Sequence, residues 1–172
     1  MNRISIVGIS GSGKSTVANK LGKKLDLPVF YLDKYFWDIG WKKQYKTKEE
    51  FKSIVDGFTN QDKWIIDGNY SSSSNIDLRL EKADVIIFLD FPKYKCLWRV
   101  LVRVLNRKQP FDKTDGIKQK IDWKMIKSIF NNYKIDNLRS RVMKYKDNKN
   151  VFVIKNNREI NNLFNNLEKF TP

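Results

Sequence analysis

Apolar residues follow two rhythms along this chain. Short apolar runs recur at residues 3–7, 27–32, 64–66, 85–89 and 151–154. Runs that are apolar on successive positions predict strands buried on both faces, as in a parallel sheet. Between them the spacing turns helical. Val17, Ala18, Leu21 and Leu25 share one face of a helix over 14–25. Thr47-Lys48-Glu49-Glu50 reads as a capping box, and Phe51, Ile54, Val55 and Phe58 continue it at i, i+3, i+4 and i+7. Pro92 opens a helix carrying Cys96, Leu97, Val100, Leu101, Val104 and Leu105. Residues 121–145 read as helical with a break near Ile135-Asp136, and Ile160, Leu163, Phe164 and Leu167 define a closing helix. Strands that alternate with helices predict an α/β fold of three layers, a parallel five-stranded sheet with helices on both faces.

The stretches between these elements are polar. Residues 107–120, with Pro110 and Gly116, read as a lid-like flap, and the serines at 71–74 as a loop. Residues 34–46 carry Tyr35, Phe36, Trp37 and Trp41 without a clear period. No internal repeat or linker marks a second domain, so 1–172 is read as one domain.

Composition narrows the chemistry. The chain is 41% hydrophobic with five Trp, which speaks for a globular fold. Its one cysteine, Cys96, excludes an intramolecular disulfide and fits a cytoplasmic location. No apolar run reaches the length of a membrane span, and none resembles a signal peptide. With no histidine, proton transfer falls to Asp, Glu or Lys. The net charge of +15 attracts polyanions, nucleic acid among them, but the lysines are spread along the whole length.

The most informative stretch is Gly8-Ile9-Ser10-Gly11-Ser12-Gly13-Lys14-Ser15, followed by Thr16. It stands between the first strand and the first helix and fits the phosphate-binding loop, or Walker A pattern, G-x-x-x-x-G-K-[ST]. Glycines let the backbone curl so that several N–H groups meet one phosphate, and the helix dipole favours the same anion. Lys14 can reach the outer phosphates, and the Ser15 hydroxyl can ligate Mg²⁺.

Parallel α/β sheets bind ligands at the carboxyl ends of their strands. Three carboxylates fall there. Asp67, before Gly68, suits the Mg²⁺ shell or a simple strand-end turn. Asp90 occupies the same kind of position on the fourth strand. Asp33 ends the second strand and suits either a base toward an acceptor hydroxyl or a cap. Arg99, Arg103 and Arg107 at i, i+4 and i+8 suit a phosphoryl-stabilising stripe or a solvated face, and Arg139 and Arg141 invite the same two readings.

With these residues in view, the chain resembles the adenylate-kinase-like P-loop kinases. The resemblance rests on the loop, on Asp67-Gly68, on Asp90-Phe91-Pro92 with Arg99 and Arg103, and on 138–145, where Arg141 looks like a phosphate contact. A narrower similarity is to the bacterial DNA topology modulation, or FlaR-like, family. It rests on 9–16, Tyr31-Leu32-Asp33 with Phe36-Trp37, 64–70, Leu78-Arg79-Leu80 with Ala83-Asp84, 88–92 and 97–101. The adenylate kinases follow Asp-Gly with Phe-Pro-Arg; here Asn69-Tyr70-Ser71 stands in its place, and Arg79 is a candidate substitute for the phosphate grip. The resemblance implies an ATP- and Mg²⁺-dependent kinase acting on a nucleotide, a nucleoside or another small hydroxyl acceptor. The alternative is a DNA-binding protein switched by nucleotide, which the charge and the aromatics Trp37 and Trp41 motivate.

Overall fold

The computed structural model describes residues 1–36, 47–70, 74–105 and 123–167. Five parallel strands form its sheet: β1 (Arg3–Gly8), β2 (Val29–Tyr31), β3 (Trp64–Asp67), β4 (Val85–Leu89) and β5 (Asn150–Ile154), in the order β2-β3-β1-β4-β5. The central strands β1, β3 and β4 are largely apolar because they are covered on both faces. Ile4 and Ile6 point to one face and Val7 to the other; Val85, Ile87 and Leu89 alternate in the same way with Ile86 and Phe88. Parallel neighbours in register, such as Ile4 with Ile65 and Val85, stack these alternations into two cores.

Helices close both faces. One core is covered by α1 (Lys14–Leu25), α5 (Lys93–Leu105), α6 (Trp123–Phe130) and α8 (Asn157–Leu167), through Val17, Leu21, Cys96, Val100, Ile129 and Leu163. The other is covered by α2 (Leu32–Phe36), α3 (Lys48–Thr59), α4 (Ile76–Lys82) and α7 (Asn132–Met143), through Phe36, Phe51, Val55, Leu80, Leu138 and Val142. Leaving β1, the chain turns into α1 on the first face. Leaving β3, it reaches α4 on the second. The crevice between the carboxyl ends of β1 and β3 is thus the switch point at which such sheets bind ligands.

The α/β reading holds throughout the described chain, with three local differences. The second strand is shorter than its apolar run: Leu32 already opens α2, so Asp33 sits in a first helical turn and not at a strand end. The break in the 121–145 helix falls at Asn131, not at Ile135-Asp136. The Asn131 side chain accepts from the Lys134 amide and starts α7 there, which leaves Ile135 buried inside the helix. The segment after the serine loop forms α4, a helix the apolar pattern does not announce, capped by Asn75 accepting from the Leu78 amide. The Thr47–Glu50 capping box is present as read. The 107–120 flap, Arg107, Trp37, Trp41 and Ser71–Ser73 lie outside the described residues. Among the described residues no helix is long and apolar enough to cross a membrane.

Candidate functional site

The loop after β1 turns where its glycines allow it. Gly11 has φ +81°, and a β-carbon there would run into the Cys96 carbonyl on α5. Gly13, with φ +99°, occupies the N-cap of α1, where no side chain of the described residues caps the helix. The N–H groups of the first turn of α1 therefore remain available to an anion. Within the loop the Ser12 amide donates to the Ile9 carbonyl at 3.2 Å, and Lys14 Nζ donates to the same carbonyl at 3.1 Å. The ammonium thus lies folded across the loop. Ser15 is half-buried and Thr16 exposed on the first turn of α1.

Two carboxylates flank the loop at the sheet's carboxyl edge. Asp67 closes β3, in register with Ile6, and is 4% exposed. Asp90 follows β4, whose Leu89 is in register with Gly8. Both Asp90 oxygens accept from Arg139 Nη2, at 2.9 and 3.0 Å. Those hydrogen bonds, against the cost of burial, hold the Arg139 guanidinium above its ordinary pKa.

The arginines divide into different tasks. Arg99 Nη1 donates to the Ser12 carbonyl at 3.1 Å, Nη2 donates to Asn157 Oδ1 at 2.8 Å, and the guanidinium lies 4.5 Å from the Phe91 ring centroid. It braces the loop after β1 against α5 and α8. Arg103 is half-buried one turn further along α5. Arg141 is an ion-pair partner of Asp77 on α4 and also donates to Asn137 at 2.9 Å. The structure therefore gives Arg141 to the α4–α7 contact and brings Arg139 to the carboxyl edge of the sheet.

The third carboxylate belongs to another wall. Asp33, in the first turn of α2, accepts from the Tyr70 hydroxyl. Tyr70 has φ +43°, a left-handed conformation that costs a tyrosine on the order of 1 kcal/mol. Its ring leans on Phe36 and Phe51, at centroid distances of 4.4 and 5.2 Å.

Arg79 is fully buried, which rules it out as a surface grip on a substrate phosphate in this conformation. Its Nη2 donates to the Gly68 and Asn69 carbonyls at 2.7 and 3.1 Å. Burial lowers its pKa to about 10, partly offset by Asp67, and it stays cationic at neutral pH. Sequence reasoning missed this support because a helical arginine is usually solvated. The signal was its position between Ile76 and Leu80, both buried on the same helix.

No family profile and no curated protein sequence matches the chain. Solved structures do. It aligns with deoxyadenosine kinase from M. mycoides with products dCMP and a flexible dCDP bound, at 15% identity and TM-score 0.53, covering 98% of this chain and 100% of that one. The same kinase with bound dCTP aligns at 16% identity and TM-score 0.53, covering 97% and 99%. Shikimate kinase from Bacteroides thetaiotaomicron aligns at 18% identity and TM-score 0.57, covering 98% and 97%. The likeness is one of fold, over the whole chain, to proteins that are kinases. The narrower FlaR-like resemblance has no counterpart among these matches.

Proposed function

We propose that this protein is a P-loop kinase that transfers the γ-phosphoryl group of ATP to a small hydroxyl-bearing acceptor, a nucleotide, nucleoside or other metabolite. The reading rests above all on the uncapped N-terminus of α1 behind a glycine-shaped loop, with Lys14 folded across it. That arrangement supports binding of a polyphosphate: backbone N–H groups and the helix dipole meet the anion, and Lys14 exchanges the Ile9 carbonyl for phosphate oxygens. Kinase neighbours that span the whole chain support the reading at the level of fold.

Ser15 and Asp67 are hard oxygen donors beside the loop and suit Mg²⁺, which keeps much of its shell as water and phosphate. Bound there, the ion would neutralise charge on the β- and γ-phosphates. Asp33 would orient the acceptor hydroxyl or take its proton, with Tyr70 fixing the carboxylate. Arg103 and Arg139 are the arginines we assign to charge on the transferring group. Arg99 holds the loop in shape, and Arg141 would have to leave Asp77 to join them. A cytoplasmic location fits this reading, given the single cysteine of the chain.

The test is ADP release from ATP and Mg²⁺, screened over nucleoside monophosphates, nucleosides and small hydroxyl metabolites, then repeated with DNA. Release that depends on one acceptor class is the expected result. In Lys14→Ala it should fall by about a hundredfold or more while the circular dichroism spectrum stays native. Release that responds to DNA alone, or that persists in a folded Lys14→Ala variant, overturns the reading.

A further inference from the structure

The tripeptide Gly68-Asn69-Tyr70, which leaves β3, is held at each of its residues by a different part of the protein. Arg79, buried beneath it, takes the Gly68 and Asn69 carbonyls. The Asn69 side chain makes a two-point contact with the first residue of the phosphate loop: its Oδ1 accepts from the Gly8 amide at 3.0 Å, and its Nδ2 donates to the Gly8 carbonyl at 2.8 Å. Tyr70 reaches the other way and donates to Asp33.

The pairing is specific to an amide. Only Asn or Gln offers a donor and an acceptor side by side, and Gln is one carbon too long for a site so fixed. The backbone of Gly8 is itself constrained, because it lies in register beside Leu89 at the end of β1. Asn69 therefore sets where the chain leaves the sheet and begins to curl around a phosphate. The guanidinium of Arg79 would be a costly way to hold an ordinary turn. Its Nε and Nη1 are buried without a hydrogen-bond partner among the described residues. Such a cost is kept where the held backbone has a task.

We infer that Asn69 is a positioning residue for the nucleotide site, and that Gly68-Asn69-Tyr70 ties the geometry of the phosphate loop to the acceptor side at Asp33. The inference rests on the kinase reading above. Neither Asn69 nor Arg79 touches a reacting atom. Both act through the backbone of the loop, and Tyr70 carries the connection onward to the carboxylate.

The test is calorimetric binding of ATP with Mg²⁺, and separately of inorganic tripolyphosphate, to the full chain. Asn69→Ala should weaken both probes by about tenfold, the worth of one to two hydrogen bonds. Asn69→Asp, which keeps the shape but not the donor, should weaken them at least as much, because its carboxylate faces the Gly8 carbonyl and the incoming phosphates. It also serves if the alanine variant does not fold. Asn75→Ala is the control. It unfastens α4 four residues before Arg79 and destabilises the same region, but it touches nothing in the phosphate loop. Its affinities should stay within about twofold of wild type. Wild-type binding with unchanged affinity in a folded Asn69 variant overturns this inference and leaves the kinase reading standing. Equal losses in Asn69→Ala and Asn75→Ala overturn it too, since the effect is then only structural. A wild-type protein that binds neither probe overturns the kinase reading, and this inference with it.

Discussion

At the scale of single residues the site is built from positions where one atom more would not fit. Gly11 is the clearest. Its φ of +81° is strained for any side chain, and the space a β-carbon needs is already filled by the Cys96 carbonyl. Gly11→Ala should cost on the order of 2–3 kcal/mol in a denaturant melt, and ATP affinity should fall in any protein that remains folded. A neutral substitution would mean that the loop has another conformation available. Asp84 makes the opposite kind of point, far from the site at the amino ends of β1 and β4. Burial alone would raise its pKa. The amides of Asn2 and Arg3 and the Arg3 guanidinium outweigh burial and hold it below its ordinary 3.8. A carboxylate depressed in the folded state contributes stability above its unfolded pKa, and that stability disappears as pH falls through the folded value. Melts from pH 7 to pH 2.5 should therefore show an acid-side loss below about pH 4 that is shallower in Asp84→Asn than in wild type. An identical slope would show that Asp84 contributes nothing.

At the scale of elements the contrast is between strands and caps. β1, β3 and β4 were legible because a strand covered on both faces is largely apolar, with Ser5 and Asp67 the buried polar residues among them, and Val85 to Leu89 are buried without exception. The tight turn from β1 into α1 was legible because its glycines and their spacing dictate a strand-turn-helix. α4 and the true start of α2 were not, since both are short, and short helices depend on caps and tertiary contacts more than on apolar period. Asp33 was expected at a strand end for the same reason: Leu27 to Leu32 is one apolar run, but Leu32 packs under α3 as the first residue of a helix. The Asn69 contact with Gly8 was hidden because the two residues lie 61 positions apart in sequence. Caps that were legible offer a check on this account. Thr47 accepts from the Glu50 amide while Glu50 accepts from the Thr47 amide, at the exposed start of α3. Thr47→Ala should lower stability by about 1 kcal/mol and leave nucleotide affinity untouched, as judged by paired melts and titrations. A larger loss would mean that α3 carries more of its core, around Phe51 and Val55, than the cap alone secures.

At the scale of the whole molecule, net charge outweighs any single contact. The chain carries 34 Lys and Arg against 19 Asp and Glu and has no histidine to modulate that balance near neutral pH. Two effects of salt then compete. Screening weakens attraction in surface pairs such as Arg3–Asp84, Arg139–Asp136 and Arg141–Asp77, each worth about 0–1 kcal/mol at best. It also weakens the mutual repulsion of a net +15, which acts on the compact state more than on the unfolded chain. The repulsion grows with the square of the net charge, whereas the pairs add one by one, so relief of repulsion should win. The melting temperature should rise by roughly 3–5 °C between 20 and 300 mM NaCl, about 1–2 kcal/mol for a chain of this size. The same surplus predicts how the protein meets DNA: affinity should fall steeply with salt and be indifferent to sequence, because phosphate neutralisation carries no base information. Competition titrations at fixed salt with duplexes of unrelated sequence separate the two cases. A preference for one sequence of tenfold or more would show that the positive surface is organised and would return weight to a nucleotide-switched DNA-binding role.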